Sequence, residues 1–200
     1  MPANETLFRI VTGILFALYA GTRIYFQRTI TGSPIVHARH ERRERFFYVA
    51  VGLTLIPVVL YVLTPLLTPF HLNTPTWLRW SGAAGLLAGV LLFSWTHRSL
   101  GSNWSGILEL REGQSLVSDG PYRLVRHPMY SAMLIIGAGL GLLSANLLVW
   151  SFFPAVLVMY LVRVGDEESM MLEQFGAPYA RYCERTGRLI PRVRDLWRSN

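Results

Sequence analysis

The chain has 200 residues, of which 52% are hydrophobic and only 16% are charged, which is far from the composition of a soluble globular domain. Its net charge of +7 comes from 19 arginines and no lysine, set against 12 acidic residues. The arginines cluster between long uncharged runs, so we expect them to face anionic lipid headgroups and not nucleic acid. A single cysteine, Cys183, excludes an internal disulfide.

Four apolar runs predict the membrane helices. Residues 7–25, 46–67 and 77–96 are each long enough for one span, because a helix needs ~20 residues to cross ~30 Å of hydrocarbon. The fourth run, 129–162, has 34 residues without a charge and fits two short spans that turn near 144–146. We therefore predict an all-α polytopic membrane protein with about five transmembrane helices, the last two forming a hairpin, and four spans as the alternative.

The distribution of arginines predicts the topology. Six arginines lie in residues 23–45, four in 98–126 and seven in 163–198, whereas the loop at 68–76 has none. By the positive-inside rule, the basic segments and the C-terminus are cytoplasmic and the N-terminus lies outside. We expect the first run to be a span and not a cleaved signal peptide, because its basic residues follow the apolar stretch.

Two features of the first half invite a structural explanation. His37 and His40 are spaced like a metal pair, but arginines crowd them, and we expect a solvated basic loop without a metal. Pro57 and Pro65 fall within or at the end of the second run, where prolines usually kink a membrane helix.

Glycines in the third and fourth runs predict close helix packing. Gly82, Gly85 and Gly89 form a small-residue ridge that lets another helix approach. The segment 137–141 (GAGLG) imitates the glycine fingerprint of nucleotide sites, but that fingerprint requires a preceding strand. Inside an uncharged membrane run, we expect it to serve helix packing instead.

The polar stretch 113–130 lies directly before the last apolar run, and we expect the functional site there. Pro128 is placed to begin a helix, since its missing N–H would be unpaired at that position anyway. His127 then lies beside unpaired backbone N–H groups at the positive end of the helix dipole. The preceding residues 100–117 are polar and aromatic, and they form either a surface loop or, as we favour, one wall of a cytoplasm-facing pocket.

Charged residues return at the end of the fourth run. Arg163 and Glu167 are four residues apart and share one helical face. They form either a surface salt bridge or a functional pair, and charges at the end of a membrane helix favour a position facing the protein interior or a cavity. The sequence after them predicts two short helices separated by Gly176.

Four motifs together resemble the isoprenylcysteine carboxyl methyltransferase family of integral membrane enzymes. The resemblance covers about residues 100–193, in matching order and spacing. The motifs are 126–130 (RHPMY), Arg163 with Glu167 and Glu168, 175–182 (FGxxYxxY) and 186–191 (TGRLIP).

The resemblance implies methyl transfer from S-adenosylmethionine, held on the cytoplasmic side, to a lipophilic substrate that enters from the bilayer. It assigns Arg163 to the substrate carboxylate and Glu167 to catalysis and cofactor binding. It divides the chain into residues 1–96, with three spans and the basic loop 23–45, and residues 97–200, with the cytoplasmic loop, the hairpin 128–163 and an amphipathic tail. The cofactor-binding residues carried over by position are Glu109, Gln114, Ser115, Leu116, Val117, Tyr122, His127, Pro128, Met129, Tyr130 and Glu167.

Other functions remain open from the sequence alone. A phospholipid amine or a small thiol is an alternative acceptor, and either would need a base such as His127 or Glu167. A sterol-type membrane reductase that uses NADPH is a second alternative, and a scaffold or transporter is a third. The sequence identifies neither the acceptor nor the oligomeric state.

Overall fold

A computed structural model describes residues 3–29, 35–38, 41–101, 109–111 and 115–192. Within these residues the chain is helical apart from two short strands, β1 (Ile35–Ala38) and β2 (Glu109–Arg111), and a few 3-10 turns. The predicted all-α class is therefore confirmed. The helices are α1 (Ala3–Thr29), α2 (Glu41–Leu53), α3 (Ile56–Leu63), α4 (Thr76–Leu100), α5 (Pro128–Ser144), α6 (Phe152–Phe175) and α7 (Ala177–Arg185).

Four helical segments are long and apolar enough to cross a membrane: Asn4–Arg28, Arg42–Leu63, Thr76–Leu100 and Val149–Phe175. The protein is an integral membrane protein. Helix α5 has 17 residues and is shorter. At ~1.5 Å per residue it reaches about 25 Å, just under the ~30 Å of a typical hydrocarbon core. Whether it crosses fully, as the fifth span, stays a prediction.

The second span is broken where proline was expected to break it. Helix α2 ends at Leu53 and α3 begins at Ile56, with Pro57 in its first turn. Because proline has no N–H and its ring clashes with the preceding turn, it is tolerated only near a helix start. The predicted kink is confirmed.

Helices α4 and α5 make the tightest packing of the fold. A Cβ added at Gly82 would lie 2.6 Å from the backbone N of Leu143, and one at Gly139 would lie 2.6 Å from the backbone N of Leu86. Backbones can approach this closely only where side chains are absent. The glycine-rich segment 137–141 therefore packs helices, as predicted, whereas no atom lies within 4 Å of a Cβ built at Gly85.

A buried arginine joins four helices at one end of the bundle. Arg79 of α4 is only 5% exposed. It donates to Glu5 of α1 (2.7 Å), to the Tyr61 hydroxyl of α3 (3.1 Å) and to the Leu143 carbonyl of α5 (2.9 Å). These partners explain how a charge is tolerated in an otherwise apolar span.

The predicted turn at 144–146 is confirmed and lies at the same end. Helix α5 ends at Ser144, and Ala145 adopts a left-handed conformation with φ 49°. The Ala145 carbonyl accepts from the Leu72 N–H, and the Asn146 amide donates to the Leu67 carbonyl. The uncharged loop after α3 is thus bound to the α5–α6 turn, at the opposite end of α5 from His127.

Two features differ from the sequence prediction. The last span was expected to end near Glu168 and to be followed by two short helices, but α6 continues without a break to Phe175. It ends only at Gly176, whose φ of 57° favours glycine. The antiparallel pairing of β1 with β2 was not predicted, and it joins the first basic segment to the segment after α4.

Candidate functional site

The start of α5 is held by a segment from much later in the chain. Pro128 is the first residue of α5 and His127 precedes it, as the sequence predicts. The N–H groups of Arg126 and His127 donate to the carbonyls of Gly187 (2.8 Å) and Arg188 (3.0 Å). The TGRLIP motif at 186–191 therefore orders the RHP motif through main-chain hydrogen bonds.

The buried Arg126 side chain adds further hydrogen bonds between the start of α5 and the C-terminal segment. Its guanidinium is 8% exposed, and Nη1 donates to the carbonyls of Cys183 (3.0 Å) and Thr186 (2.5 Å). Ser131, one turn into α5, donates to the Leu189 carbonyl (2.8 Å). The motifs at 126–130 and 186–191 thus form one structural unit.

Glu168 of α6 collects the cations of this unit. Its carboxylate accepts from Arg126 Nε (3.0 Å) and from Arg188 Nη2 (2.6 Å), and it lies 3.4 Å from His127 Nε2. The sequence analysis placed Glu168 in a motif but assigned it no site role. Arg126 and Arg188, in the two neighbouring motifs, were the sequence signal for an ion-pair network around Glu168.

Glu167, the neighbouring carboxylate, faces His127, Tyr130 and Arg163. Its Oε1 accepts from the Tyr130 hydroxyl (2.5 Å) and lies 3.4 Å from Arg163 Nη2, while Oε2 lies 3.4 Å from His127 Nδ1. Residues from the start of α5 and the middle of α6 therefore meet around one partly buried carboxylate. We call His127, Tyr130, Arg163 and Glu167 the acidic-end cluster.

The His127 imidazole lies between the two carboxylates. Burial alone would lower its pKa, but the hydrogen bonds to Glu167 and Glu168 outweigh burial and raise the pKa above the usual 6.5. From the sequence, His127 was expected to suit an anionic or polar part of the cofactor. The structure gives both ring nitrogens carboxylate neighbours, so the imidazole balances the acidic pair.

Aromatic rings line the cluster. The rings of Tyr130 and Tyr160 lie 5.2 Å apart between centroids, and each lies 6.0 Å from the His127 ring. The Arg163 guanidinium lies 5.9 Å from the centre of the Tyr130 ring. Tyr160 was missed from the sequence because it lies within the uncharged run, although it is one turn before Arg163.

Tyr122 lies in the short 3-10 turn Gly120–Arg123 and is fixed from α7. Its carbonyl accepts from the Tyr182 hydroxyl at 2.7 Å. Burial raises the pKa of Tyr122, so its hydroxyl stays neutral at physiological pH. The FGxxYxxY motif thus positions the turn that precedes the RHP motif.

The remaining predicted residues are only partly described. Met129 is half-buried, and Ser115, Leu116 and Val117 have no regular secondary structure, with Ser115 exposed and the other two half-buried. Glu109 begins β2, but its side chain lies outside the described residues, as does all of Gln114. Among the residues that the structure describes, no group of three or more His, Cys, Asp or Glu side chains is placed to hold a metal ion.

Arg163 has a second carboxylate partner that the sequence did not indicate. Its Nη2 lies 2.8 Å from Oε2 of Glu44, on α2, and the Glu44 side chain is 1% exposed. From the sequence, Glu44 fell within the basic loop 23–45 and was given no site role. No local signal indicates this contact, because the two residues lie far apart in the chain.

A cleft of about 450 Å³ opens on the other side of Glu168, between α6 and α7. Arg188, Tyr179 and Cys183 contribute to its walls. The ion pairs of Glu168 therefore separate this cleft from the acidic-end cluster.

Comparison with known proteins gives the same family as the motifs. The sequence model of the isoprenylcysteine carboxyl methyltransferase (ICMT) family matches residues 82–173. Protein-S-isoprenylcysteine O-methyltransferase B of Arabidopsis thaliana is 27% identical over 149 residues, covering 70% of this chain and 72% of the relative. Cobalt-zinc-cadmium resistance protein CzcN of Cupriavidus metallidurans is 30% identical over 125 residues, covering 60% of this chain and 57% of the relative.

The fold agrees with a solved structure of the family. The eukaryotic intramembrane Ras methyltransferase ICMT superposes with a TM-score of 0.53 at 25% identity, covering 76% of this chain and 53% of that chain. This chain thus spans little more than half the length of the solved enzyme and of CzcN. The matched region runs from α4 to α6 and contains all four residues of the acidic-end cluster. Over residues 82–173 the chain resembles the isoprenylcysteine carboxyl methyltransferase family of membrane methyltransferases.

Proposed function

We propose that this protein transfers a methyl group from S-adenosylmethionine to the carboxylate of a lipophilic, isoprenylcysteine-like acceptor. The observation that carries the proposal is the acidic-end cluster itself. His127 and Tyr130 at the start of α5 and Arg163 of α6 each lie within hydrogen-bonding or ion-pairing distance of Glu167. The cluster lies inside the region that matches the family.

The side chains present suit the chemistry of this methyl donor. S-adenosylmethionine supplies an electrophilic methyl group on a sulfonium cation and carries an amine, a carboxylate and an adenine. Glu167 offers a carboxylate that is 19% exposed, so it remains reachable by a cationic group. The ring faces of Tyr130 and Tyr160 favour a nearby cation or a flat base. Tyr122, in the turn before the RHP motif, is a further ring for the adenine.

In this proposal Arg163 binds the carboxylate of the acceptor. A carboxylate is already ionised at neutral pH, so the reaction needs no general base. The planar guanidinium can hold a carboxylate with two parallel hydrogen bonds, which a lysine cannot do. The work left to the protein is to align the acceptor and to exclude water from it.

The fold also suits a hydrophobic acceptor. Apolar side chains remain exposed on the flanks of α4 and α6, including Leu91 (61% exposed) and Leu161 (62% exposed), and the latter lies two residues from Arg163. An acceptor can therefore keep its apolar tail in the bilayer while its carboxylate reaches Arg163.

We place the acidic-end cluster and the C-terminus in the cytoplasm and the N-terminus outside. The support is the separation of charge: the basic segments flank the cluster, and the uncharged loop 68–76 is bound to the α5–α6 turn at the opposite end. Residues 97–200 then form the catalytic part and 1–96 the supporting spans, with Glu44 as the contribution of the supporting spans to the cluster.

Binding of S-adenosylhomocysteine, the demethylated product of the donor, tests the cofactor. Purified protein in detergent should bind it in a calorimetric titration, and Glu167→Ala should abolish binding. Glu173→Ala, an exposed position in the same helix, is the matched control and should bind normally. Thermal stabilisation by NADPH and none by S-adenosylhomocysteine would favour a reductase.

Transfer of labelled methyl groups tests the acceptor. Prenylcysteine, phospholipid and small-thiol acceptors should be offered in parallel, and we expect label only in the prenylcysteine acid. Transfer to an amine or thiol, with a rate that rises with pH as the acceptor loses its proton, would contradict the carboxylate assignment.

A further inference from the structure

Arg163 has a carboxylate partner from a distant helix. Glu44 reaches it from α2, with Oε2 2.8 Å from Nη2 and a side chain that is 1% exposed. Buried carboxylates of this kind are stabilised only when their partners are well aligned. The Glu44 contact therefore indicates which kind of ligand Arg163 can bind.

The alignment of this buried pair is poor. Neither Glu44 oxygen accepts a hydrogen bond from any residue that the structure describes, and Arg163 Nε has no acceptor within the same part of the chain. Buried polar atoms without partners are destabilising, so native sites keep few of them without a reason. A carboxylate in a better position would satisfy Arg163 more fully than Glu44 does.

The partners of Glu44 and Glu167 indicate which of the two carboxylates a bound acid would displace from Arg163. Arg163 contacts both Glu44 and Glu167, so a third carboxylate would add a further negative charge beside the same guanidinium. Glu167 is also held by the Tyr130 hydroxyl and by His127. Glu44 has one further cation, Arg43, at 3.6 Å among the described residues. Glu44 is thus the weaker-held partner.

We propose that Glu44 is a displaceable stand-in for the acceptor's carboxylate. It occupies Arg163 in the acceptor-free protein and keeps the guanidinium ordered, and the acid must displace it to bind. A small anion gains too little binding free energy to displace Glu44. A lipophilic acid gains more, because it also buries its apolar tail. Glu44 is therefore a positioning residue that restricts the site to acids with a large apolar group. This inference rests on the proposed carboxylate acceptor.

Glu44→Gln tests the proposal, because it removes the charge and keeps the size. The probes are N-acetyl-S-farnesylcysteine and its uncharged methyl ester, with affinities measured in detergent in the presence of S-adenosylhomocysteine. We expect the variant to bind the acid about tenfold more tightly, equivalent to ~1.4 kcal/mol, and the ester as before. Asp166→Asn, which removes the charge that Arg43 contacts beside Glu44, is the matched control and should change neither affinity.

Weaker binding of the acid by Glu44→Gln, or equal changes for acid and ester, would overturn the proposal and make Glu44 a structural residue. If the variant does not fold, hydrogen exchange on the unmodified protein decides. The acid, but not the ester, should accelerate exchange in the first turns of α2, and no acceleration would overturn the proposal. Absence of methyl transfer to the acid, with the acid-selective binding change intact, would contradict only the proposed reaction.

Discussion

The Tyr130 hydroxyl donates to Glu167 Oε1 at 2.5 Å and so joins the first turn of α5 to the middle of α6. The same tyrosine ring lies 5.9 Å from the Arg163 guanidinium. One side chain therefore contacts both the carboxylate assigned to the methyl donor and the cation assigned to the acceptor. In the proposed reaction, this contact would set the relative placement of donor and acceptor.

Tyr130→Phe should weaken binding of S-adenosylhomocysteine by about tenfold or more, because hydrogen bonds to charged groups contribute ~1.5–3 kcal/mol. The ring remains, so folding should be little affected. Calorimetric titration measures the change. Tyr48→Phe, which removes an exposed hydroxyl that accepts from Gln27, is the control. Unchanged affinity in Tyr130→Phe would show that the hydroxyl does not orient Glu167 for the ligand.

The His127 network should make stability depend on pH. The pKa of His127 is raised above 6.5 in the folded protein, so its stabilising charge is fully present below the unfolded pKa. That stabilisation is lost as pH rises through the folded pKa. The melting temperature in detergent should therefore fall between mildly acidic pH and the raised pKa. His127→Asn should lose this fall, and parallel curves for both proteins would contradict the assignment.

Arg126 and Arg188 both contact Glu168, but Arg126 should contribute more to the free energy of unfolding. The Arg126 side chain is 8% exposed and also donates to two carbonyls, whereas Arg188 is 54% exposed. Arg126→Met should cost ~3–5 kcal/mol, since it removes the buried cation that contacts Glu168 and leaves the carbonyls of Cys183 and Thr186 without this donor. Arg188→Met should cost below ~1 kcal/mol, as for exposed ion pairs. Thermal unfolding compares them, and equal losses would mean that burial does not set the energy of this network.

The helix contact between α4 and α5 gives a matched glycine pair. Gly82→Ala places a Cβ 2.6 Å from the Leu143 backbone, so the helices must separate, at a cost of ~1–3 kcal/mol. Gly85→Ala meets no atom within 4 Å and should be neutral or stabilising by ~0.5–1 kcal/mol. Melting temperatures in one detergent test this. A destabilised Gly85→Ala would show that another surface covers that glycine.

The sequence predicted those parts of the fold that follow from apolar length and helix chemistry. Uncharged runs predicted the spans, Pro57 predicted the break between α2 and α3, and Pro128 predicted the start of α5. The close spacing of glycines gave the α4–α5 packing. These are local or periodic properties, which a single sequence contains directly.

Long-range partners were less accessible from sequence. The motifs placed Tyr130, Arg163 and Glu167 in one site, but no local signal showed that Glu44 of α2 would lie against Arg163. The length of α6 beyond Glu168 was also missed, because its polar last turns resemble a surface segment when their packing against α7 is unknown. Contacts between distant segments depend on how the helices pack.

The main-chain bonds that hold the beginning of α5 have a consequence for biosynthesis. The carbonyls of Gly187 and Arg188 belong to a segment that the ribosome makes roughly sixty residues after the histidine they restrain. A nascent chain can therefore insert its apolar helices before the acidic-end cluster is ordered. The start of α5 gains its main-chain partners only once that late segment has emerged.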